Sequence, residues 1–328
     1  MSVDSAAQPS ADVRRRQVEA LLGRDVATVR VAPGAYRSSC AVHDVEVTFA
    51  GGTIRQLVLK DLGHDALLPE ARRVKPAFLL DPVREIEVYR RVLAPFGVAA
   101  PALIGALADE ASHTYLLLLE SVPGLPLWQV GEVDVWRAAA RWLAATHAQL
   151  APAAPSLAGA ARLLRYDAAY YGRWLERAGA LQGASGVGAT VLRAYERVIP
   201  RLLAMPPTFI HGEFHPSNVL VEASEPARIR PVDWEVAALA PGLMDLADLT
   251  AGKWSASERE GMERAYREEL ADRGVPRRDD FPDDLDRCRL HKAVQWLAWS
   301  DRWTPPREHA QDWMAEALSL CERLGLGS

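Results

Sequence analysis

The chain has 328 residues, 38 of them basic and 43 acidic, for a formal net charge of −5, with 49% hydrophobic and 25% charged residues. This is the composition of an ordinary globular protein, long enough for one large or two medium domains, and the charge balance gives no ground for expecting a nucleic-acid partner. Cys40, Cys288 and Cys321 are too scattered for a disulfide framework, and no apolar run approaches the length of a membrane span, so a soluble cytoplasmic protein without membrane association is expected.

Residues 1–11 are small and polar, and residues 13–22 read as a short helix ended by Gly23. Strand-like runs follow at 27–31, 41–49 and 54–59. Val45, Val47 and Phe49 alternate with Glu46 and Thr48, and Gly51-Gly52 supplies a hairpin turn, so an antiparallel sheet starts here. The third run ends at Lys60. An insert, residues 61–80, carries Leu67-Leu68-Pro69 and Phe78-Leu79-Leu80 and is expected to cover the sheet or meet a partner. Asp81-Pro82 predicts a capped helix start, and Val83, Ile86, Arg90 and Leu93 form one stripe of a helix reaching Leu93.

Residues 102–108 and 114–120 read as two further strands, and the Pro- and Gly-rich residues 121–126 as a linker. Beyond Val133 the pattern is mainly helical, with helices expected at 134–150, 161–178, 189–204, 283–300 and 306–324. Ser257 with Glu260 predicts a capping box for another that reaches Arg273. The late tryptophans Trp254, Trp296, Trp299, Trp303 and Trp313 suit core packing or stacking on a ligand.

One stretch carries chemistry. Phe209-Ile210-His211-Gly212-Glu213-Phe214-His215-Pro216-Ser217-Asn218 runs into the apolar Val219-Leu220-Val221, and after an acidic gap Ile229-Arg230-Pro231-Val232 leads to Asp233-Trp234-Glu235. Antiparallel pairing of the two apolar runs would bring Asn218 beside Asp233. An amide carbonyl beside a carboxylate is an oxygen ligand set that Mg²⁺ favours, and Glu213 on the same loop could accept a proton from a hydroxyl. A zinc pair from His211 and His215 at helical spacing is disfavoured by Gly212 and Pro216, and no Pro-Cys-x-x-Cys follows as in the zinc deaminases.

On these residues the segment resembles the catalytic and metal-binding loops of the aminoglycoside phosphotransferase family, whose fold is protein-kinase-like. The resemblance implies an α+β, two-lobed chain with a small antiparallel five-stranded N-lobe bearing one helix and a larger, mainly helical C-lobe. The boundaries expected are an N-terminal extension at 1–23, the nucleotide-binding lobe at 24–120, the linker at 121–126, and the catalytic lobe with the acceptor site at 127–328. It further implies ATP or GTP as co-substrate, Mg²⁺ bound by Asn218 and Asp233, and Glu213 in the place of the family's catalytic Asp. Lys60 is implied as the phosphate lysine, and Ser38 and Ser39 lie in the place of the phosphate-covering loop, which lacks repeated glycines. Glu120 and Val122 hold the positions that would bond the nucleotide base. Glu85, nearest the centre of its helical stripe, is preferred over Glu87 as the partner of Lys60. The implied reaction is phosphoryl transfer to a hydroxyl of a sugar, an aminoglycoside-like molecule or an amino alcohol. Glu213 departs from the His-Gly-Asp pattern by one methylene, which leaves open a pocket rebuilt around the longer arm or a pseudokinase-like nucleotide-binding regulatory module. Transfer of a nucleotidyl group is a third possibility.

Overall fold

The structure, a computed structural model, describes residues 11–23, 26–34, 39–183, 186–224, 226–299 and 311–327. The chain is α+β and folds as two compact units, Met1–Pro123 and Gly124–Ser328. Among the described residues no helix is long and apolar enough to cross a membrane.

The first unit opens with helix α1 (Ala11–Leu22) and continues into strands β1 (Val26–Pro33), β2 (Ala41–Phe49) and β3 (Ile54–Asp61). A short helix α2 (Pro69–Val74), helix α3 (Arg84–Val88) with a π-helical turn at Tyr89–Leu93, and strands β4 (Leu103–Asp109) and β5 (Thr114–Glu120) complete it. The antiparallel sheet has the order β1-β2-β3-β5-β4. Gly52, at φ +79°, closes the β2–β3 hairpin with its N–H on the Phe49 carbonyl.

Strand parity decides what each face of β3 meets. Leu57 and Leu59 face a core with Val45, Val47, Leu116, Leu118 and Val18 of α1, and Asp61, next on that face, pairs with Arg14 of α1 at 2.6 Å. Lys60 points to the opposite face and meets α3. Helix α1 is thus packed into this unit. The insert folds back on its own chain: Leu67 bridges to Cys40, and the Leu68 N–H donates to the Ser39 carbonyl at 3.0 Å. The predicted cap at Asp81 is instead a turn in which its carboxylate accepts the Val83 N–H at 3.0 Å, so α3 starts at Arg84.

The second unit contains β6 (Leu125–Pro126), α4 (Val133–Leu150), α5 (Ala154–Ala160), β7 (Leu164–Arg165), α6 (Ala168–Gln182), α7 (Gly186–Ala204) and β8 (Thr208–Ile210). It continues with β9 (Val219–Glu222), β10 (Arg228–Pro231), β11 (Ala238–Ala240), α8 (Leu243–Leu249), α9 (Ala256–Asp272), α10 (Phe281–Leu297) and α11 (Trp313–Arg323). Two small sheets, ordered β10-β9-β6 and β7-β11-β8, bracket the sequence around His211. A methyl group on Gly124 would lie 2.6 Å from the Val221 carbonyl oxygen, so glycine lets β6 approach β9 this closely.

The sequence expectations for this unit need correction. The helix expected at 161–178 starts at Ala168, because Leu164–Arg165 is drawn into a parallel pairing with β11 and Asp167 then caps α6 by accepting the Tyr170 N–H. Between α4 and β7 lie a 3₁₀ turn, Ala151–Ala153, and α5. The capping box of α9 is Ser255 with Glu258, two residues ahead of the predicted pair, which lengthens the helix at its N-terminus. The late tryptophans pack on one another and on earlier ones: Trp296 stacks on Trp313 at 5.3 Å, Trp299 on Trp174 at 6.1 Å, and Trp254 meets Trp136 edge-on at 4.5 Å. Trp303 lies outside the described residues.

Candidate active site

In the first unit, Lys60 Nζ donates to Glu85 Oε2 at 2.6 Å, and both side chains are buried. Glu87 turns the other way and pairs with Arg91 one helical turn on. Ser39 presents its hydroxyl to the buried Lys75, whose Nζ lies 3.0 Å away; Ser38 is outside the described residues. Glu120 gives its N–H to the Ala102 carbonyl at 2.9 Å and accepts the Ala102 N–H on its carboxylate at 2.9 Å. Val122 follows, half-buried, after Ser121, whose N–H reaches the Gln56 carbonyl.

In the second unit, β8 delivers the chain to His211 and a sharp turn. Gly212 sits at φ +89°, and a methyl group there would lie 2.6 Å from the Val236 carbonyl oxygen, so only glycine fits. A single 3₁₀ turn, Pro216–Asn218, carries the chain into β9, which pairs antiparallel with β10 in the register Val219↔Pro231. That register extends one step further: the Val232 N–H donates to the Asn218 carbonyl at 2.9 Å. Asn218 therefore lies across the ladder from the residue preceding Asp233. Its side chain turns back, Nδ2 donating to the Glu213 carbonyl at 3.0 Å. One residue thus links the Glu213 loop to the Asp233 turn.

Asp233 adopts φ +68°, in the left-handed region that few residues other than glycine enter. The strain is held by Trp234, which is buried, donates Nε1 to the Pro231 carbonyl at 3.2 Å and stacks on Phe209 at 5.6 Å. Glu213, Asn218 and Asp233 keep partial exposure, as do His215, Pro216 and Ser217 between the first two, while Phe214, Val219 and Trp234 next to them in the chain are buried. The donor chemistry would fit Mg²⁺: with Nδ2 of Asn218 spent on Glu213, the amide would offer a cation its Oδ1, and Asp233 would offer carboxylate oxygens.

Beneath these groups lies a buried layer of fixed charge. Asp245 accepts the N–H of His211 at 2.7 Å and of Gly212 at 2.9 Å, and meets His147 Nε2 at 3.2 Å. Burial raises the Asp245 pKa, but the hydrogen bond and charge of His147 and the N–H of His211 outweigh it, and the carboxyl stays below its ordinary value. His147 Nδ1 in turn faces the Tyr266 hydroxyl at 2.9 Å. His211 is held with its Nε2 2.9 Å from the Val232 carbonyl, and burial lowers its pKa despite the nearby Asp245. From α10, Lys292 reaches the Gly212 carbonyl at 2.6 Å and Asp248 at 2.8 Å. Burial pushes the Asp248 carboxyl up to about 7 against the pull of Lys292, and the lysine, in spite of its burial, is held above its usual value mainly by Asp248.

The sequence pointed to Glu213, Asn218, Asp233, Lys60 and Glu85. It missed His147, Asp248 and Lys292. A visible signal existed for the last: a lysine inside the run Leu290-His291-Lys292-Ala293-Val294, where solvent-facing charge does not belong.

Comparison with known proteins adds the following. The model of the APH phosphotransferase enzyme family matches residues 47–282. No curated protein matches the chain. Among solved structures, the chain is similar to a microcompartment-associated aminopropanol kinase (17% identity, 97% of this chain and 99% of that one, TM-score 0.65). It is similar also to the choline kinase LicA from Streptococcus pneumoniae (14% identity, 96% and 98%, TM-score 0.59) and to a spectinomycin phosphotransferase in complex with ADP and spectinomycin (14% identity, 98% and 100%, TM-score 0.56).

Proposed function

Because the chain belongs to the phosphotransferase enzyme family, we propose that it moves the γ-phosphoryl group of ATP or GTP to a hydroxyl of a small amino alcohol, sugar or aminoglycoside-like acceptor, with Mg²⁺ as cofactor. The observation that carries this reading is the double attachment of Asn218, side chain to the Glu213 carbonyl and backbone carbonyl to the Val232 N–H, which sets the carboxylate arm of Glu213 and the strained Asp233 around one amide. The names of the solved relatives, aminopropanol, choline and spectinomycin, make amino alcohols and aminocyclitols the first acceptors to try.

In this reading each residue has one task. Lys60, its ammonium aimed by Glu85, binds phosphate oxygens of the nucleotide. Asn218 and Asp233 hold Mg²⁺ through oxygen atoms. The metal, when bound, neutralises charge on the transferring phosphates. Glu213 orients the acceptor hydroxyl and takes its proton as the oxygen bonds to phosphorus; the bond between phosphorus and the bridging oxygen breaks, and the nucleoside diphosphate leaves with the electron pair. The longer glutamate arm moves the reach of the base by one methylene, and displacements of about 1 Å change rates by on the order of a hundredfold, so the acceptor must sit correspondingly further from the loop.

The test is turnover with a panel of amino alcohols, sugars and aminoglycosides, with and without Mg²⁺. Glu213→Gln should lower kcat by at least about a hundredfold while Mg-nucleotide binding survives. Full activity in Glu213→Gln would remove the role given to that residue. Tight Mg-nucleotide binding in the wild type with neither acceptor turnover nor slow nucleotide hydrolysis would favour the pseudokinase-like reading, and release of pyrophosphate would favour nucleotidyl transfer.

A further inference from the structure

The two peptide groups that flank Glu213 are held at every polar atom. Before it, the Gly212 carbonyl accepts Lys292 Nζ at 2.6 Å and the Glu213 N–H points at His211 Nδ1 at 3.4 Å. After it, the Glu213 carbonyl accepts Asn218 Nδ2 at 3.0 Å, and the Phe214 N–H donates to Asp248. Two of these four holds come from one ion pair, since Lys292 and Asp248 lie 2.8 Å apart. That pair joins α10 to α8 and grips the chain one residue to either side of Glu213.

We propose that Lys292, together with Asp248, is a positioning residue for the phosphoryl transfer described above, fixing the backbone that carries the Glu213 carboxylate. This rests on the role given to Glu213 there. A simple packing role explains the arrangement less well. Both side chains are almost wholly buried, Lys292 at 3% and Asp248 at 1% exposure, and taking two charges out of water costs more than an apolar pair of the same volume would. Leu290, Ala293 and Val294 fill the apolar contacts of α10 around Lys292, and His291 and Gln295 are buried there without charge, so packing needs no ammonium. What an apolar residue cannot supply is a hydrogen bond to the Gly212 carbonyl. The need is greater for glutamate than for aspartate, because an additional rotatable bond in the arm leaves more of its aim to the backbone and its supports. Asp245 holds the N–H groups of His211 and Gly212 from the other side, so the Lys292–Asp248 pair completes the grip where the loop turns toward its functional side chain.

The experiment compares wild type, Lys292→Met and the double variant Lys292→Met/Asp248→Asn, which carries no unpaired buried charge and keeps an acceptor for Phe214. In the folded double variant, kcat should fall at least about tenfold with the KM for nucleotide within about twofold, as expected for a displaced base and an intact nucleotide site. A kcat within twofold of wild type overturns the proposal, and so does a loss that follows a raised nucleotide KM instead of kcat. Hydrogen exchange of the amides of residues 211–215 supplies a readout independent of activity, and these should lose protection in whichever of the two variants folds. Equal protection in variant and wild type overturns the proposal. Should the wild type show no phosphoryl transfer, or Glu213→Gln keep it, the functional reading fails by that result, while exchange still reports on the grip itself.

Discussion

The carboxylate of Asp245 accepts the backbone N–H of His211 at 2.7 Å and, through its other oxygen, that of Gly212 at 2.9 Å, at a site where Asp245 is 1% exposed. One side chain therefore satisfies two buried donors of the loop and a histidine besides. Asp245→Ala leaves both N–H groups without an acceptor, at about 1–3 kcal/mol each. The expected result is a loss of at least about 2 kcal/mol in urea unfolding with an unchanged slope against denaturant. Asp245→Asn keeps one acceptor oxygen and should lose less. A midpoint for Asp245→Ala within experimental error of wild type would show that the loop finds other acceptors.

The Lys60–Glu85 pair lends itself to a double-mutant cycle. Lys60→Met leaves the Glu85 carboxylate, 1% exposed, without its ammonium, and breaking a buried pair from one side costs about 3–5 kcal/mol. Replacing both, as in Lys60→Met/Glu85→Leu, removes the stranded charge and should recover most of that stability. Nucleotide turnover should be lost in both variants, because the lysine is assigned to phosphate. Stability recovered together with turnover would mean that the pair is only a buried strut. The unfolding midpoint and the nucleotide KM separate the two roles.

How far the sequence revealed these parts follows from the range of the interactions. Strand alternation at Val45, Val47 and Phe49 and the Gly51-Gly52 turn are local, and the antiparallel sheet forms as they imply. Glu85 could be preferred over Glu87 because 100° per residue fixes which acid shares the apolar stripe of its helix. The capping box of α9 shows how local signals compete: Ser255-x-x-Glu258 and Ser257-x-x-Glu260 both fit the pattern, and the structure takes the earlier one. His147, Asp248 and Lys292 meet the loop across tens of residues of chain, and no local spacing encodes those meetings. The short strand Leu164–Arg165 was hidden for the same reason, since its partner is β11, some 70 residues later.

Acid should unfold the second unit through histidines buried in neutral form. His291 is fully buried, its Nδ1 2.7 Å from the Tyr195 hydroxyl, with the rings of Tyr166, Tyr170 and Tyr171 around it. Burial, with the charge of Lys292 adding to it, holds the His291 pKa well below 6.5. A lowered folded-state pKa means that the unfolded chain binds the proton first, so the stability His291 contributes is present above about pH 6.5 and is lost as pH falls below it. Comparing His291→Gln with wild type isolates the histidine, since glutamine can still bond Tyr195 and does not titrate. Between pH 6.5 and 5 the wild type should lose stability faster than His291→Gln, by up to about 1.4 kcal/mol per pH unit. Parallel slopes in urea unfolding would remove His291 from the account.

Asp233 combines a strained backbone with a proposed ligand, and substitution can separate the two. Asparagine tolerates the left-handed region, so Asp233→Asn should leave the melting temperature near that of wild type. Asp233→Val, β-branched at φ +68°, should lose about 1–3 kcal/mol. Thermal melts with nucleotide and Mg²⁺ test the ligand role. A ligand at a hundred times its Kd stabilises the folded state by about 2.7 kcal/mol, and the Mg-dependent part of that gain should vanish in Asp233→Asn. If Asp233→Asn retains the full Mg-dependent shift, the carboxylate does not hold the metal, and the strained turn serves only to place Trp234 beneath the loop.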